Sequence, residues 1–462
     1  MSPTPLDRLL RPIKRFAALD ISGGILLISC TVIALLWANS PWHDSYHDVW
    51  ETQVGFAIAG LDMKMSLHHW INDGLMALFF LVVGLEIKRE LLIGELSTFK
   101  AAALPVAAAV GGMLLPAAIF YGVNQGTEAA AGWGIPTATD IAFALGVLSL
   151  LGKRVPVSLK LFLTALAVVD DLGAVLVIAF FYTSEVKLWA LGAAGGVCAS
   201  MLALNRMGLR NVGIYGLLGL ALWGLVMASG VHATIAGVLT AVAIPSTKYL
   251  VDSDHLPLQG RLTLSELIQG EHDHAHIGHT LHQTESPMHR VEHALLPYID
   301  FLIMPIFALA NAGLTLHGSP AEALASNVGM GVMLGLFVGK QVGVFSASWI
   351  AVKTGLAELP KGLSWGQIYG AALLAGIGFT MSLFVTGLAF SEPGTVDQAK
   401  LGILGASLLS AFAGAGVLIY QSGKVQVEVG LPENEVMVPL DELPANVPMA
   451  GAEEQAAEEQ AA

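Results

Sequence analysis

The 462 residues are 55% hydrophobic and only 13% charged, with a mean hydropathy of +0.67, where a soluble domain carries roughly 25% charged residues. The apolar residues come in charge-free blocks, among them Ile21 to Ala38, Leu75 to Leu85 and Ile214 to Met227, which is more than one soluble core can bury. A soluble globular protein is excluded. The net charge of −14 says little about partners, because beyond Tyr420 nine carboxylates stand against Lys424 alone and leave −8 there.

From the N-terminus, Arg8, Arg11, Lys14 and Arg15 precede the first block. That block exceeds the roughly 7 to 15 residues of a signal-peptide core and reads as a retained span. Twelve spans follow from the apolar pattern, centred near Ile28, Leu78, Val110, Phe143, Asp170, Gly195, Leu220, Val238, Ile306, Lys340, Ile377 and Leu409. Cytosolic loops are enriched in Lys and Arg, and every second loop carries them: Lys88, Arg89 and Lys100, then Lys153 and Arg154, Arg206 and Arg210, the stretch Lys248 to Glu292, and Lys353 with Lys361. The intervening loops are poor in bases, with Lys64 alone in Ser40 to His69 and none in Tyr121 to Gly132. The expectation is an all-α polytopic membrane protein of about 12 transmembrane helices with both termini in the cytosol. Glycine supports it: 51 residues where average usage gives about 32, and small residues let membrane helices pack closely. Cys30 and Cys198 fall inside apolar blocks and imply no disulfide framework. Residues 1–420 form the membrane domain, with a His-rich insertion at about 248–292. Residues 421–462 form an acidic tail whose composition favours disorder.

Gln53 to Met65 partly alternates apolar and polar residues, with Gly60, Leu61 and Asp62 at a turn. A short external β-hairpin and an irregular loop both fit.

Charges in the middle of spans are costly, roughly 2.5 to 3.5 kcal/mol each on insertion scales. Asp170 and Asp171 lie about twelve residues from either end of Ser158 to Tyr182, and Lys340 is as central between Met330 and Ala351. Asp140 follows Gly134-Ile135-Pro136-Thr137-Ala138-Thr139. Three carboxylates and one amine at one depth point to an ion path, against the blander reading of a structural salt-bridge cluster. Adjacent helix positions differ by about 100°, so both aspartates can border one cavity. Like charges there resist joint ionisation, and the titration belongs to the pair. A small hard cation prefers oxygen ligands. Protons and the cation therefore compete for the same oxygens, and competition at an alternately exposed site is enough for exchange.

Gly134 and Pro136 interrupt the fourth span, and Gly376 and Gly378 the eleventh. Pro removes a backbone donor and Gly loosens a helix, so both spans are expected to unwind near mid-membrane. Asp140 would then balance positive helix N-termini, and Lys340 negative C-termini. Spans three to five and ten to twelve, each centred on a broken helix of opposite direction, form an inverted-topology repeat.

The sequence resembles the NhaA-type sodium/proton antiporters of bacteria from about Arg15 to Tyr420. The stretches that carry the resemblance are FFLVVGLEIKREL (Phe79 to Leu91), IPTATDIAFALGVLSLLG (Ile135 to Gly152), ALAVVDDLGA (Ala165 to Ala174), SGVHATIAGV (Ser229 to Val238), LFVGKQVG (Leu336 to Gly343) and GIGFTMSLF (Gly376 to Phe384). The resemblance implies that Asp171 is the principal sodium-binding carboxylate and that Asp170, its neighbour, pairs with Lys340. It places Thr139 and Asp140 in the unwound element beside the site. It assigns Glu86, Arg89, Glu90, Glu292 and His293 to a cytosolic cluster linked to alkaline activation, and His232 to the pH response near the outer face. It also makes the external hairpin, about residues 51–66, a homodimer contact.

Two departures stand out. Leu296 occupies a position where relatives carry a further histidine of the pH cluster. The loop Thr247 to Glu292 is long and carries HDHAHIGH, which fits either a metal-binding tract or a solvated, pH-sensitive loop. The implied activity is electrogenic exchange of cytosolic Na+ (or Li+) for external H+ in the bacterial inner membrane. The partners are the two ions, lipid and a second copy, with no cofactor and no nucleic acid. The competing reading is a proton- or sodium-coupled carrier of an organic solute on the same fold. An aspartic protease is disfavoured, because its carboxylates face each other from separate elements, whereas Asp170 and Asp171 are adjacent and no G-x-G-D stretch is present.

Overall fold

A computed structural model describes residues 22–55, 57–58, 61–62, 64–183, 186–246, 286–315, 319–360 and 362–428. The basic N-terminal residues, the tract 247–285 and the chain beyond 428 lie outside them. By internal contacts the chain separates into two units, Met1–Ile419 and Tyr420–Ala462.

The first unit opens with α1 (Ser22–Ala38), apolar on all sides, and α2 (His43–Glu51), which is polar and turns away by 114°. Next come four two-residue strands, β1 (Gln53–Val54), β2 (Ala57–Ile58), β3 (Leu61–Asp62) and β4 (Met65–Ser66). They pair antiparallel in one register, Gln53 with Ser66 and Ile58 with Leu61 among the partners. Leu61 and Asp62 thus belong to the returning strand rather than to the turn expected of them. A π-helical turn, Trp70–Leu75, leads into α3 (Met76–Ile93), and α4 (Phe99–Asn124) follows.

The fourth apolar segment is in two pieces. A 3-10 helix, Glu128–Thr137, meets α5 (Ile141–Leu150) at 41°. The chain breaks at residues 138–140, a few positions after Gly134 and Pro136, which lie inside the 3-10 piece. Pro136 suits that place, since a 3-10 helix of poorer hydrogen-bond geometry loses less to a missing donor. Then come α6 (Val157–Phe181), α7 (Leu188–Arg206), α8 (Val212–Ser229) and α9 (Ile235–Ala243).

After the undescribed tract, Ser286 caps α10 (Pro287–Tyr298) by accepting from His289 N. Glu292 and His293 therefore sit on a helix, not at the end of the loop. A π turn, Ile299–Ile303, joins α10 to α11 (Met304–Asn311). Beyond the short helix Pro320–Ala325, α12 (Asn327–Leu334) continues through a π turn, Gly335–Gly339, into α13 (Lys340–Lys353). The second broken pair, α14 (Trp365–Leu374) and α15 (Phe379–Ala389), bends by 45° around residues 375–378, where Gly376 and Gly378 stand. The last helix is α16 (Pro393–Glu428).

Seven described helical segments are long and apolar enough to cross a membrane, and ten if each bent pair is one crossing. The count falls below twelve at two places. Helix α3 is apolar for three turns but carries Glu86, Lys88, Arg89 and Glu90 in the last two, and α9 has only nine residues. These two pack together: a Cβ on Gly84 would meet Ala241 Cβ at 2.7 Å, and one on Gly237 the Ala77 carbonyl at 2.2 Å. The interior lies around α6 and the α12–α13 span, each 61% buried over its apolar centre, against 17% and 22% for α7 and α8.

Candidate functional site

The two breaks cross each other in the interior. Asp140 N donates to the Ile377 carbonyl at 2.6 Å, and Ser382 Oγ donates to the Ile135 carbonyl at 2.8 Å. Each break opens a helix N-terminus, and Asp140 serves both. Its Oδ1 accepts from Phe143 N at 2.9 Å, capping α5, and its Oδ2 accepts from Thr380 N at 3.0 Å and from Thr380 Oγ1, capping α15. A helix N-terminus carries about half a positive charge, so the Asp140 carboxylate is balanced by backbone, as the sequence led us to expect.

Lys340 behaves differently. Its amine pairs with Asp170 Oδ2 rather than with helix C-terminal carbonyls, and both side chains are fully buried. The placement follows from a close crossing of α4 and α13. A Cβ on Gly111 would stand 2.3 Å from the Gly343 carbonyl, and one on Gly343 2.2 Å from the Gly111 carbonyl. Only glycine permits that approach, and it brings the Lys340 side chain, one turn from Gly343, across Gly112 to α6. Thr139 Oγ1 lies 2.6 Å from Asp170 Oδ2 and 2.9 Å from the Ala375 carbonyl, and its single proton serves either.

Asp171 is left. It is 2% exposed, and its Oδ1 has no hydrogen-bond partner among the described residues, nor has Asp170 Oδ1. Asp170 has Lys340 and Thr139, Asp140 has two helix ends, and Asp171 has neither amine nor backbone donor. An ionised carboxylate cannot stay uncompensated at such burial.

A cavity of about 480 Å³ lies beside α5, lined by Val83 and Glu86 of α3, Ile141 and Leu145 of α5, and Leu296 and Asp300. Next to it Arg89 pairs with Glu292 Oε1 and lies 3.4 Å from Glu86 and 3.6 Å from Glu90. Glu292 is 2% exposed, and its Oε2 finds no hydrogen-bond partner among the described residues; His289 Nδ1 lies 4.0 Å from it. His293 is exposed and, among the described residues, meets the cluster through ring contact with His289. His232 stands apart from it. Helix α9 runs parallel to α3, since Gly237 faces Ala77 and Lys88 reaches the Ile244 carbonyl, so His232 lies at the hairpin end. Its Nε2 is 2.6 Å from the Tyr182 carbonyl. The structure therefore groups Asp140, Thr139, Asp170, Asp171 and Lys340, groups Glu86, Arg89, Glu90 and Glu292 separately, and leaves His293 and His232 outside both.

Sequence reasoning missed Thr380, His289 and Asp300. Thr380 was findable, since Gly378 at the N-cap has no side chain to cap α15, and a hydroxyl in the first turn can meet the carboxylate that does. His289 falls inside the stretch Thr247 to Glu292 read as loop, although Ser286 followed by Pro287 is a helix-start signature.

The family model described as Na+/H+ antiporter 1 matches residues 14–418. The chain belongs to that family. Relatives include the Na+/H+ antiporter NhaA of Oleidesulfovibrio alaskensis, 51% identical across 89% of this chain and 94% of that protein. The NhaA of Koribacter versatilis is 48% identical across 90% and 92%, and that of Pseudomonas fluorescens 47% across 87% and 95%. Among solved structures, the sodium proton antiporter MjNhaP1 of Methanocaldococcus jannaschii aligns over 90% of this chain and 99% of its own, with a TM-score of 0.50 at 12% identity. That likeness concerns the fold alone. Within the family, this chain spans nearly the full length of the relatives it matches.

Proposed function

We propose that the protein is a secondary transporter exchanging cytosolic Na+, or Li+, for external H+ across the bacterial inner membrane. One observation carries the reading: Asp171 is a buried carboxylate whose Oδ1 has no hydrogen-bond partner among the described residues, beside a second carboxylate that pairs directly with Lys340. A proton on Asp171 or a sodium ion among Asp171, Asp170 and the Thr139 hydroxyl neutralises the site equally well, so the two exclude each other. The names of the relatives support the same cargo. The organic-solute alternative finds no such support.

In this reading sodium enters from the cytosol through the Glu86 cavity, displaces the proton on Asp171 and leaves on the hairpin side, where protons reload the site. When the cation occupies Asp170 as well, Lys340 loses its partner and releases a proton, since buried amines give up charge readily. More than one proton then returns per sodium ion, which makes exchange electrogenic. The pair Arg89–Glu292, with Glu86 and Glu90, is the pH-responsive element at the cytosolic mouth. His293 and His232 contribute from outside that cluster.

We further assign twelve spans, by adding α3 and α9 to the ten apolar crossings, with both termini cytosolic. Spans three to five and ten to twelve form the inverted repeat, whose broken members are tied at Asp140. Residues 1–420 are the transport domain and 421–462 an acidic cytosolic tail. Two copies associate through the hairpin at about 51–66. The test is sodium flux in proteoliposomes under an imposed pH gradient. Wild type should exchange and Asp171→Asn should not; equal flux in the two removes Asp171 from the site.

A further inference from the structure

Tyr182 stands just past the end of α6 and touches three elements at once. Its hydroxyl donates to the Ala131 carbonyl at 2.8 Å and accepts from Gly134 N at 3.2 Å, both on the 3-10 piece of the broken span. Its own carbonyl accepts from His232 Nε2 at 2.6 Å, on the link between α8 and α9. A Cβ on Gly134 would stand 2.8 Å from that hydroxyl and 3.1 Å from Val177 Cγ1, so the 3-10 piece lies on α6 as closely as a backbone allows. Trp133 and Phe181 close the contact edge to face, with centroids 5.0 Å apart. A phenol keeps its proton to about pH 10, so the donor persists wherever the protein works.

We propose that Tyr182 is a positioning residue for exchange. Anchored by His232, it latches the outer half of the interrupted fourth span onto α6, holding the Asp171 site closed on the hairpin side while the Glu86 cavity opens the other way. The inference rests on the antiporter reading. The latched piece, Glu128–Thr137, runs directly into Thr139 and Asp140. Access from the hairpin side has to part this piece from α6, and the two hydroxyl contacts are the polar bonds that break when it does. Tyr182 itself does not reach the ion. It acts on the balance between the two exposures of the site, because a bond present in only one state shifts populations toward that state.

The test uses the full-length protein in proteoliposomes of defined orientation, with half-saturating sodium measured separately from each face. Two lost hydrogen bonds, each worth roughly three- to tenfold, set the scale for Tyr182→Phe. Half-saturating sodium should fall about tenfold on the hairpin face and rise on the opposite face. His232→Gln keeps an amide donor toward the Tyr182 carbonyl and should hold the wild-type ratio, whereas His232→Leu should move it as Tyr182→Phe does. A change by the same factor on both faces, or none on either, overturns the latch. If Tyr182→Phe does not fold, Gly134→Ala tests the same contact, because its methyl group displaces the hydroxyl. An asymmetric shift supports the proposal and a symmetric one refutes it. Wild-type protein that moves no sodium against protons brings down the antiporter reading, and the latch with it; wild-type exchange with symmetric variants brings down the latch alone.

Discussion

Replacing Lys340 by methionine keeps a long unbranched side chain in place while removing the charge that pairs with Asp170. Both members of the pair are fully buried, so removing one partner strands the other, at a cost of about 3–5 kcal/mol. The volume change is small, and packing adds little. Asp170 retains the Thr139 hydroxyl at 2.6 Å, a bond to a charged group worth about 1.5–3 kcal/mol, which places the loss near the lower figure. Asp170→Asn strands the ammonium in the same way. In the double variant Lys340→Met/Asp170→Asn no charge remains unpaired, and Asn still accepts from Thr139. Its loss should be on the order of 1 kcal/mol, far less than the two single losses together. The assay is a double-mutant cycle on purified protein titrated with SDS, read by helical circular dichroism without sodium. Single losses that add to within about 0.5 kcal/mol would show that the two groups are not coupled, and the charge assignment that isolates Asp171 would fail.

Asp171→Asn should abolish sodium-driven proton release yet cost less stability than Asp170→Asn, because Asp171 Oδ1 has no bond to lose; the reverse order, by the same titration, contradicts the site. Thr380→Val removes the hydroxyl from Asp140 and should destabilise by about 1–3 kcal/mol with loss of exchange, while Thr380→Ser restores both; a silent Val variant refutes the bridging role. Arg89→Ala leaves Glu292 buried without its cation, and should displace the pH–rate profile of exchange; an unchanged profile removes the cluster from regulation. At the hairpin end the Asp73 carboxylate beside His69, bonded at 2.8 Å, holds the imidazole above its ordinary range. Since the folded value is the higher one, this pair stabilises fully below about pH 6.5 and stops doing so as pH rises through the folded value. His69 is half exposed, so the amount is no more than about 1 kcal/mol. His69→Gln should flatten that part of the stability–pH curve, and identical slopes would discount the pair.

Much of the site was legible because ionisable residues in apolar spans are few. Asp140, Asp170, Asp171 and Lys340 could be picked out by cost alone, and the structure brings them together. Partners were harder. The broken spans alone point Lys340 to helix C-termini, since a sequence shows where helices break but not which face of a neighbouring helix comes within reach. That depended on Gly111 and Gly343, two of 51 glycines, whose importance lies in what stands opposite them. Two of the expected spans are the least marked by length and hydropathy: α3 is charged in its last two turns and α9 has nine residues, and the two pack against each other through Gly84 and Gly237. The His289 contact lies across a boundary. Ser286 followed by Pro287 has the N-cap and N1 pattern of a helix start, so the boundary itself is written in the sequence while the contact across it is not.

The crossing of α4 and α13 carries one more consequence. Where two backbones touch through glycines there is no layer of side chains to slide on, and neither helix can travel without dragging the other. Lys340 and the stretch of Phe99–Asn124 around Gly111, between Pro105 and Pro116, should then move together as one lever. Whatever alternates exposure of the carboxylates has to pivot beside that lever, not within it.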